Sequence, residues 1–559
     1  MGIIKARRKE QSGGSGPIRT RRAISMAVLA LGAAGQAYAF DIDTGNPDIK
    51  LRWDNTFKYS AAQRVSGRDD NLVNDNAAAN INNINLDDGD RNFKRGLISN
   101  RLDVLSELDF SYQQRFGARV SGAAWYDTVY NRSNSNDAPG RANQTSVPFN
   151  EFTAATRDLH GRKVEVLDAF VYANGDRGNV RLGRHSLIYG ETLFFGANGI
   201  AYGQSPVDYV KLLSVPNSQF KEIILPVNQI SGQFQLLDNV TVGGYYQFEF
   251  RKSRIPAVGS YFSSADVFDD GGERFLLAPG FGAPRVGDLT ARNSGQGGAQ
   301  VRWRPTGSDV EFGFYAMQYH DKLFQTYLRP LGAFVPGFPF NYQLVYPENV
   351  RSFGASFSTE VAGFNLAGEA SIRRNTPLVS DPQIDASPNG SGGINGQALY
   401  AVGNSAHANL SAIFVFNRSP LWNSATLTAE AGWNRRTSIT KNPGALAANA
   451  SRDAWGVRFV LEPQWFQVFP GFDLSAPIGV GFNPHGNSSV VQQFNGGARK
   501  GGDLSIGLKG VYQQVWKVGL NYTHFYGSGG PALGADGRLT FNQSLRDRDF
   551  VSLSLQRTF

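Results

Sequence analysis

Short segments in which apolar and polar residues strictly alternate recur along the whole chain. In residues 49–59, Ile49, Leu51 and Trp53 fall on one face, whereas Lys50 and Arg52 fall on the other. Because the side chains of a β-strand point alternately to opposite sides, this period of two predicts strands. Comparable alternation occurs in residues 102–112, 240–250, 364–373 and 516–523.

These segments carry aromatic residues near the ends of their apolar rows. A transmembrane helix needs about twenty consecutive apolar residues, and no stretch of the sequence after the N-terminal region approaches that length. An apolar band flanked by aromatic girdles, around a polar interior, is typical of transmembrane β-barrels. The pattern therefore predicts an all-β fold that forms one closed antiparallel transmembrane barrel.

The links between the predicted strands are alternately short and long. Short links such as Val361-Ala362-Gly363 and Gln513-Gln514 alternate with long ones, as periplasmic turns alternate with extracellular loops in bacterial barrels. This alternation predicts about eighteen strands, within a range of 16–18, and long extracellular loops that fold partly into the lumen. The nine predicted long loops are residues 62–97, 131–160, 190–221, 253–295, 323–349, 376–397, 438–450, 485–500 and 528–546.

The C-terminal residues form a further alternating segment. Val551, Leu553, Leu555 and Phe559 share one face, opposite a row of polar residues. A last strand that ends in an aromatic residue is similar to the signal that outer-membrane barrels present to the barrel assembly machinery. We therefore expect that machinery, outer-membrane lipid and lipopolysaccharide to be partners of this chain.

The N-terminal residues have the layout of a secretory signal. A basic stretch ends at Arg22, an apolar run follows over residues 23–34, and Ala37-Tyr38-Ala39 offers small residues for cleavage. Residues 1–39 hold seven of the 55 basic residues and one of the 47 acidic residues, which leaves 48 bases and 46 acids elsewhere. The formal charge of +8 therefore gives no reason to expect nucleic-acid binding.

These observations predict a division of the chain and a location. We expect a cleaved signal peptide at residues 1–39, a short N-terminal segment at residues 40–46, and a barrel over residues 47–559 that lies in the outer membrane. The chain contains no cysteine, so disulfides and thiolate metal sites are excluded.

The stretch from Leu167 to Phe248 resembles a family of Gram-negative outer-membrane proteins catalogued as domain of unknown function 1302. The resemblance implies a porin-like barrel, and it implies a neighbourhood of inner-membrane exporters and periplasmic carriers with lipophilic cargo. His185 and Tyr189 stand where the family often has Gln and Trp, so no role is carried over to them. The matching words are Leu167-Asp168-Ala169, Arg181-Leu182-Gly183-Arg184, Tyr189-Gly190-Glu191, Pro206-Val207-Asp208, Phe220-Lys221-Glu222, Leu225-Pro226-Val227 and Gly244-Tyr245-Tyr246.

Residue types that carry catalysis or bind metals are sparse. The six histidines are scattered singly without metal-ligand spacing, and Ser186 and Ser505 lack the context of a nucleophile elbow. We therefore predict no enzyme activity, no cofactor and no metal site. Residues 65–97 are rich in Asp and Asn, and two interpretations remain open for them, a solvated loop or a loop that binds Ca²⁺ or lipopolysaccharide-bridging cations.

The polar faces of the predicted strands supply candidate lumen charges of both signs. Their similar numbers do not predict strong selection for anions or cations. They could line a channel, or they could pair with one another and with loop backbone to hold the loops in place. The candidates are Arg52, Arg101, Asp103, Glu107, Asp109, Arg119, Asp127, Glu369, Glu430 and Arg458.

Two of the predicted loops, residues 192–214 and 323–343, are unusually apolar. Exposing so much apolar surface to water is unfavourable, so we expect these loops to fold into the lumen or against each other. They could form a vestibule for a hydrophobic substrate, or a packing core that only narrows the pore. The candidate vestibule residues are Phe194, Phe195, Tyr202, Phe324, Tyr327, Phe334, Phe338, Phe340 and Tyr342.

The sequence leaves three functions open. The first is an outer-membrane channel or docking barrel for lipophilic or amphipathic molecules, as the outer partner of an export system. The second is a general polar-solute porin with an open, charged lumen, and the third is a structural or adhesive surface barrel. The position of the two apolar loops should distinguish them.

Overall fold

The alternating segments form a β-barrel in the computed structural model. The structure describes residues 40–73, 80–216, 218, 220–278, 280–329, 340–385 and 391–559. The predicted signal peptide, and Phe334 and Phe338 of the candidate vestibule, lie outside these residues. The strands are β1 (Phe40–Ile42), β2 (Ile49–Arg64), β3 (Gly96–Tyr112), β4 (Phe116–Asp127), β5 (Arg162–Asn174), β6 (Gly178–His185), β7 (Val227–Leu237), β8 (Val240–Gln247), β9 (Arg274–Ala278), β10 (Phe281–Pro284), β11 (Gln296–Trp303), β12 (Glu311–Tyr319), β13 (Gln325–Arg329), β14 (Asn341–Val345), β15 (Val350–Val361), β16 (Phe364–Pro377), β17 (Gln383–Ile384), β18 (Val402–Phe416), β19 (Ser424–Lys441), β20 (Asp453–Phe469), β21 (Phe472–Ser475), β22 (Ile478–His485), β23 (Gly502–Tyr512), β24 (Trp516–Tyr526) and β25 (Phe550–Thr558).

Eighteen of the strand positions close into one antiparallel ring. The ring runs in chain order from β2 to β25, without the loop strands β9, β10, β13, β14 and β17, and β21 and β22 together occupy one position between β20 and β23. β25 pairs with β2 from Thr56–Thr558 to Arg64–Phe550, which closes the ring. The prediction of eighteen antiparallel strands is confirmed.

The pleat of each strand sorts its residues between two environments. On β3, Leu108 and Phe110 are exposed on the outer face, whereas Arg101, Asp103 and Glu107 are buried inside. The same rule places Leu553 of β25 outside and Ser552 and Ser554 inside. An apolar exterior around a polar interior is the arrangement that a lipid bilayer requires of a barrel.

The ends of the barrel differ in their connections. The predicted turn after Val361 is a two-residue turn, in which Ala362 and Gly363 both have positive φ angles (51° and 79°). Two consecutive positive φ angles match the twist of a tight hairpin. At the other end, each of the nine predicted long loops connects two barrel strands.

The long loops contain most of the remaining structure. Two small sheets, β9–β10 and β14–β13–β17, lie in them. No helix among the described residues is long and apolar enough to cross a membrane. The short helical segments are Ile81–Asn85, Asp88–Arg91, Ala154–Thr156, Arg157–Gly161, Ile200–Gly203, Tyr209–Ser214, Phe220–Ile223, Asn395–Gln397, Pro443–Ala445 and Phe494–Gly496.

Candidate functional site

The loop between β6 and β7, residues 186–226, enters the barrel, and we call it the bridging loop. Its first half is held by two glutamates that point inward from the barrel wall. Glu430 of β19 accepts hydrogen bonds from the backbone N–H groups of Leu193 (3.1 Å), Phe194 and Phe195 (3.1 Å). It also accepts one from the Thr192 hydroxyl at 2.8 Å. One wall carboxylate thus binds four consecutive loop residues.

Glu369 of β16 holds the same half of the loop at two further points. It accepts the N–H of Glu191 at 2.7 Å and the N–H of Ile200 at 2.8 Å. The Arg373 guanidinium, also on β16, donates to the carbonyl oxygens of Asn198 and Gly199, each at 2.8 Å. Glu369 and Arg373, which both lie on β16, therefore hold the backbone of the bridging loop at Glu191 and over residues 198–200.

A buried asparagine completes this first attachment. The Asn198 side chain donates to the side chain of Asn409 at 2.7 Å and to the Trp433 carbonyl oxygen at 3.0 Å. Its Oδ1 is within hydrogen-bonding distance of His407 Nδ1 (2.9 Å) and Asn434 Nδ2 (3.2 Å). The first attachment therefore spans β16, β18 and β19.

The second half of the bridging loop is held by ion pairs between side chains. Arg254, from the following loop, contacts Asp208 at 2.6 Å and Glu165 of β5 at 2.5 Å. Burial disfavours the charged form of Arg254, but the nearby carboxylates of Asp208 and Glu165 favour it more strongly. The pKa of Arg254 is therefore raised. Lys211 lies 3.9 Å from Glu165 and is itself buried, which lowers its pKa.

These ion pairs continue along the opposite wall. The aromatic ring of Trp125, on β4, is approached by Arg101 at 4.6 Å and by Lys211 at 5.0 Å. Glu107 of β3 pairs with Lys221 of the bridging loop and with Arg119 of β4. Cations near an aromatic face are stabilised by its quadrupole, more strongly where water is excluded.

The two attachments lie on opposite sides of the barrel. Going round the ring from β3, which carries Glu107, to β16, which carries Glu369, takes nine of its eighteen steps. The bridging loop therefore reaches from one wall to the diametrically opposite wall, and it divides the lumen.

The candidate lumen charges are mostly paired. Arg101 forms a two-pronged contact with Asp103, with 2.7 Å from Nη2 to Oδ1, and Arg119 lies 3.3 Å from Asp109. Arg458 pairs with Asp503. Arg52 contacts Asp54 at 2.9 Å on a largely exposed side chain. Asp127 accepts hydrogen bonds from the Ser99 hydroxyl and from backbone N–H groups where β4 ends.

The candidate vestibule residues do not share one surface. Phe195 is buried against Phe494, with ring centroids 5.4 Å apart, while Phe194 is 37% exposed. Phe324 and Tyr342 pack among loop residues of 248–295, and Tyr327 packs against Tyr400. Phe340 is half-buried and lies edge-on to Phe281 at 5.1 Å.

Tyr202 and Phe324 do meet, at a small cavity where four loops join the wall. Its volume is about 30 Å³, which is room for roughly two water molecules. The Tyr202 hydroxyl donates to Asp321 at 2.5 Å, and burial raises the pKa of both groups. The cavity is lined by Ala197, Tyr202, Tyr319, Asp321, Leu323, Phe324, Gln325, Arg373, Thr376, Pro377, Val379, Val490, Val491 and Gln492.

The solvated interpretation of residues 65–97 is wrong for part of that loop. Asp87, Asp88 and Asp90 are all buried, because the loop folds down onto residues 260–266 and onto Arg548. Arg254, Asn198 and Lys211, which hold the bridging loop, were not among the residues predicted from the sequence. Lys211 is a charged residue between apolar neighbours, which is a usable signal. Arg254 lies in the basic run of residues 251–254, and no sequence signal marks Asn198.

The fold and the divided lumen define a transmembrane β-barrel whose interior is spanned by one of its own loops. The chain belongs to the family described as proteins of unknown function, DUF1302, whose model matches residues 20–559. No curated protein matches the sequence.

Several solved barrels have a similar chain trace. Acinetobacter baumannii OccAB3 is 9% identical, with a TM-score of 0.43, and the match covers 91% of this chain and 99% of that one. The outer membrane channel DcaP of Acinetobacter baumannii is 9% identical, with a TM-score of 0.37 and coverage of 94% and 100%. Pseudomonas aeruginosa OccK2, solved in complex with glucuronate, is 9% identical, with a TM-score of 0.40 and coverage of 91% and 98%.

Proposed function

We propose that this protein is an outer-membrane channel whose size limit is set by the bridging loop. The observation that supports this proposal is the attachment of one loop to opposite walls of the barrel. A purely structural barrel has no need of a loop that crosses its interior, whereas a channel needs a constriction to select solutes.

The charged side chains beside the bridging loop contact charges of the opposite sign. Glu107, Arg119 and Asp109 form one paired group, and Arg458 with Asp503 forms another. Paired charges present dipoles rather than a net field, so size and hydrogen bonding should govern selection more than ionic charge. We therefore favour small polar or amphipathic solutes as cargo.

Lipophilic cargo is the second candidate, and the cavity beside Tyr202 and Phe324 is the observation that favours it, because its lining comes from both apolar loops. Both apolar loops contribute side chains there, Tyr202 from one and Leu323 and Phe324 from the other. At about 30 Å³ the cavity is far smaller than the ~300–1,000 Å³ of typical ligand sites. An amphiphile would therefore have to displace loop residues in order to bind.

Planar-bilayer recording combined with liposome swelling tests the proposal. We expect small unitary currents from the intact protein and uptake of small sugars with a sharp size limit. The double variant Glu369→Ala, Glu430→Ala should raise the current several-fold and admit larger sugars, because the first half of the bridging loop is released. Glu462→Gln is the matched control, since Glu462 lines the wall but pairs with Lys509 and Ser475 instead of the bridging loop.

The same preparations separate the two cargo classes. Saturable binding of a medium-chain fatty acid that is lost in Leu323→Ser, Val491→Ser would support lipophilic cargo. Sugar uptake without fatty-acid binding would support the polar class. Large steady currents from the intact protein that do not change in the double glutamate variant would contradict a constriction at the bridging loop.

A further inference from the structure

Three buried aspartates meet above the barrel, away from the bridging loop. Asp87 and Asp88 come from the loop after β2, and Asp266 comes from the loop after β8. Asp87 and Asp266 are completely buried, and Asp88 is 4% exposed. One carboxylate oxygen of each lies within 4.8 Å of the others. Three like charges at such distances in a dry environment repel one another strongly.

Within the described residues, the cations that contact this trio directly all lie at one of its members, Asp87. Asp87 is paired with Arg91 at 2.6 Å, and Arg141 lies 3.9 Å from the same oxygen. Among the described residues, the side-chain donors to Asp88 are the neutral amides of Asn136 at 3.1 Å and Asn143 at 3.2 Å.

Asp266 has no direct cationic contact either. It accepts the backbone N–H of Asp88 at 3.1 Å. Among the described residues, no cationic side chain lies within 4 Å of Asp88 or Asp266. Two of the three carboxylates thus have no direct ion pair within the described residues, although Asp87 has two cations near it.

Two oxygens of the trio also have no hydrogen-bond donor. Oδ1 of Asp87 and Oδ1 of Asp266 are fully buried and unpartnered within the described part of the chain. Leaving a buried charged oxygen unsatisfied is costly, and native proteins rarely do so. Carboxylate oxygens are the ligands that Ca²⁺ prefers.

The surrounding backbone is packed too tightly for the two loops to drift apart. A Cβ atom at Gly89, next to the trio, would lie 2.4 Å from the carbonyl oxygen of Ser263. Only glycine allows this close approach. The two loops therefore hold the three carboxylates together in spite of their repulsion.

We propose that Asp87, Asp88 and Asp266 bind one Ca²⁺ ion, which clamps the loop of residues 65–95 to the loop of residues 248–295. The ion offers Asp88 and Asp266 the cationic contact that they lack among the described residues, and it binds the unpartnered oxygens of Asp87 and Asp266. This inference does not depend on what passes through the barrel.

Calcium titration of the full-length barrel in detergent, after treatment with EDTA, tests the proposal by isothermal calorimetry. We expect one Ca²⁺ per chain, with a dissociation constant of about 10⁻⁴–10⁻³ M, as in other extracellular calcium modules. Asp266→Asn should weaken binding at least tenfold. Asp270→Asn is the matched control, since Asp270 lies on the same loop and its side chain is 43% exposed. No calcium uptake by the intact protein, or equal uptake by Asp266→Asn, would overturn the site.

A shared proton is the competing explanation, and thermal unfolding distinguishes it. Burial raises the pKa of Asp87 to about 7 and raises that of Asp266 well above its usual range. Such groups favour folding when protonated, so without calcium the stability should fall as the pH rises through 7. If calcium binds, 5 mM CaCl₂ should restore most of the melting temperature at pH 8 and little of it at pH 6. A pH dependence that calcium leaves unchanged would assign the trio to a proton and overturn the proposal.

Discussion

The two halves of the bridging loop are held to the barrel by different chemistry. In the first half, Glu369 and Glu430 accept backbone N–H groups, and Arg373 donates to backbone carbonyl oxygens. In the second half, Arg254 binds the side chains of Asp208 and Glu165. The first attachment depends mainly on the backbone of the loop, with side-chain contacts at Thr192 and Asn198, whereas the second depends on the identity of the side chains.

The two halves of the bridging loop should therefore tolerate substitutions to different degrees. A backbone donor survives almost any substitution at its own position, so Leu193 and Phe194 can change without loss of the contact to Glu430. Phe195 is also held by the packing of its buried ring against Phe494. A side-chain ion pair is lost when either partner changes. Variation in the first half should therefore alter the chemistry of the constriction while its position is kept.

The largest expected effect comes from the side-chain attachment. Arg254→Ala leaves Asp208 and Glu165 buried without their cation, and breaking a buried ion pair in this way costs about 3–5 kcal/mol. Urea unfolding of the barrel in detergent measures it. Arg538→Ala is the control, because Arg538 and its partner Asp536 are both largely exposed, and such pairs contribute at most about 1 kcal/mol. Equal losses in both variants would contradict the difference between the attachments.

A smaller effect is expected at the backbone attachment. Glu430→Gln keeps the size of the side chain but weakens its charge-assisted hydrogen bonds, each of which contributes about 1.5–3 kcal/mol. The current through single barrels should become noisier, since the loop segment 192–195 can detach, while the strand ladder stays intact. Unchanged current fluctuations in Glu430→Gln would show that this carboxylate does not hold the loop.

The smallest effects are expected at Phe194, where two variants separate the backbone N–H that donates to Glu430 from the aromatic ring. Phe194→Ala keeps the N–H that donates to Glu430, and the partly exposed ring adds little, so stability and current should barely change. Phe194→Pro removes that N–H and should cost about 1–3 kcal/mol. Side-by-side urea unfolding and single-channel recording check both variants. A larger loss in the alanine variant than in the proline variant would assign the attachment to the ring.

The strands and loops could be predicted from the sequence because one physical rule governs them. Alternation between lipid and lumen marks each barrel strand, as in Ile49–Tyr59, and turn residues such as Ala362 and Gly363 mark the hairpins. The bridging loop could not be predicted in the same way. Its first attachment uses backbone groups that every residue has, so Glu369 and Glu430 could be placed in the lumen but not matched to their partners.

The packing of the two apolar loops could not be predicted from their composition either. Residues 192–214 and 323–343 have similar contents of large apolar side chains, yet Phe195 contacts the barrel wall near Gly432 and Gly456 while Tyr327 packs against the neighbouring loops. Apolar content predicts that a side chain will be covered. It does not predict what will cover it, because that depends on partners distant in sequence.

The pairing of β2 with β25 closes the barrel, and it adds a step to folding that an open sheet does not have. Seventeen of the eighteen strand junctions join neighbours in the sequence, and each can form locally, whereas the last one joins residues about 500 positions apart. The N–H of Phe559 donates to Asn55 at 2.8 Å, and its ring lies edge-on to Phe57. Until that junction forms, both edge strands expose unpaired backbone groups that invite pairing with other chains. We therefore expect the pairing of β2 with β25 to be the slowest step in the assembly of the barrel, and the step before which the chain is most prone to aggregate.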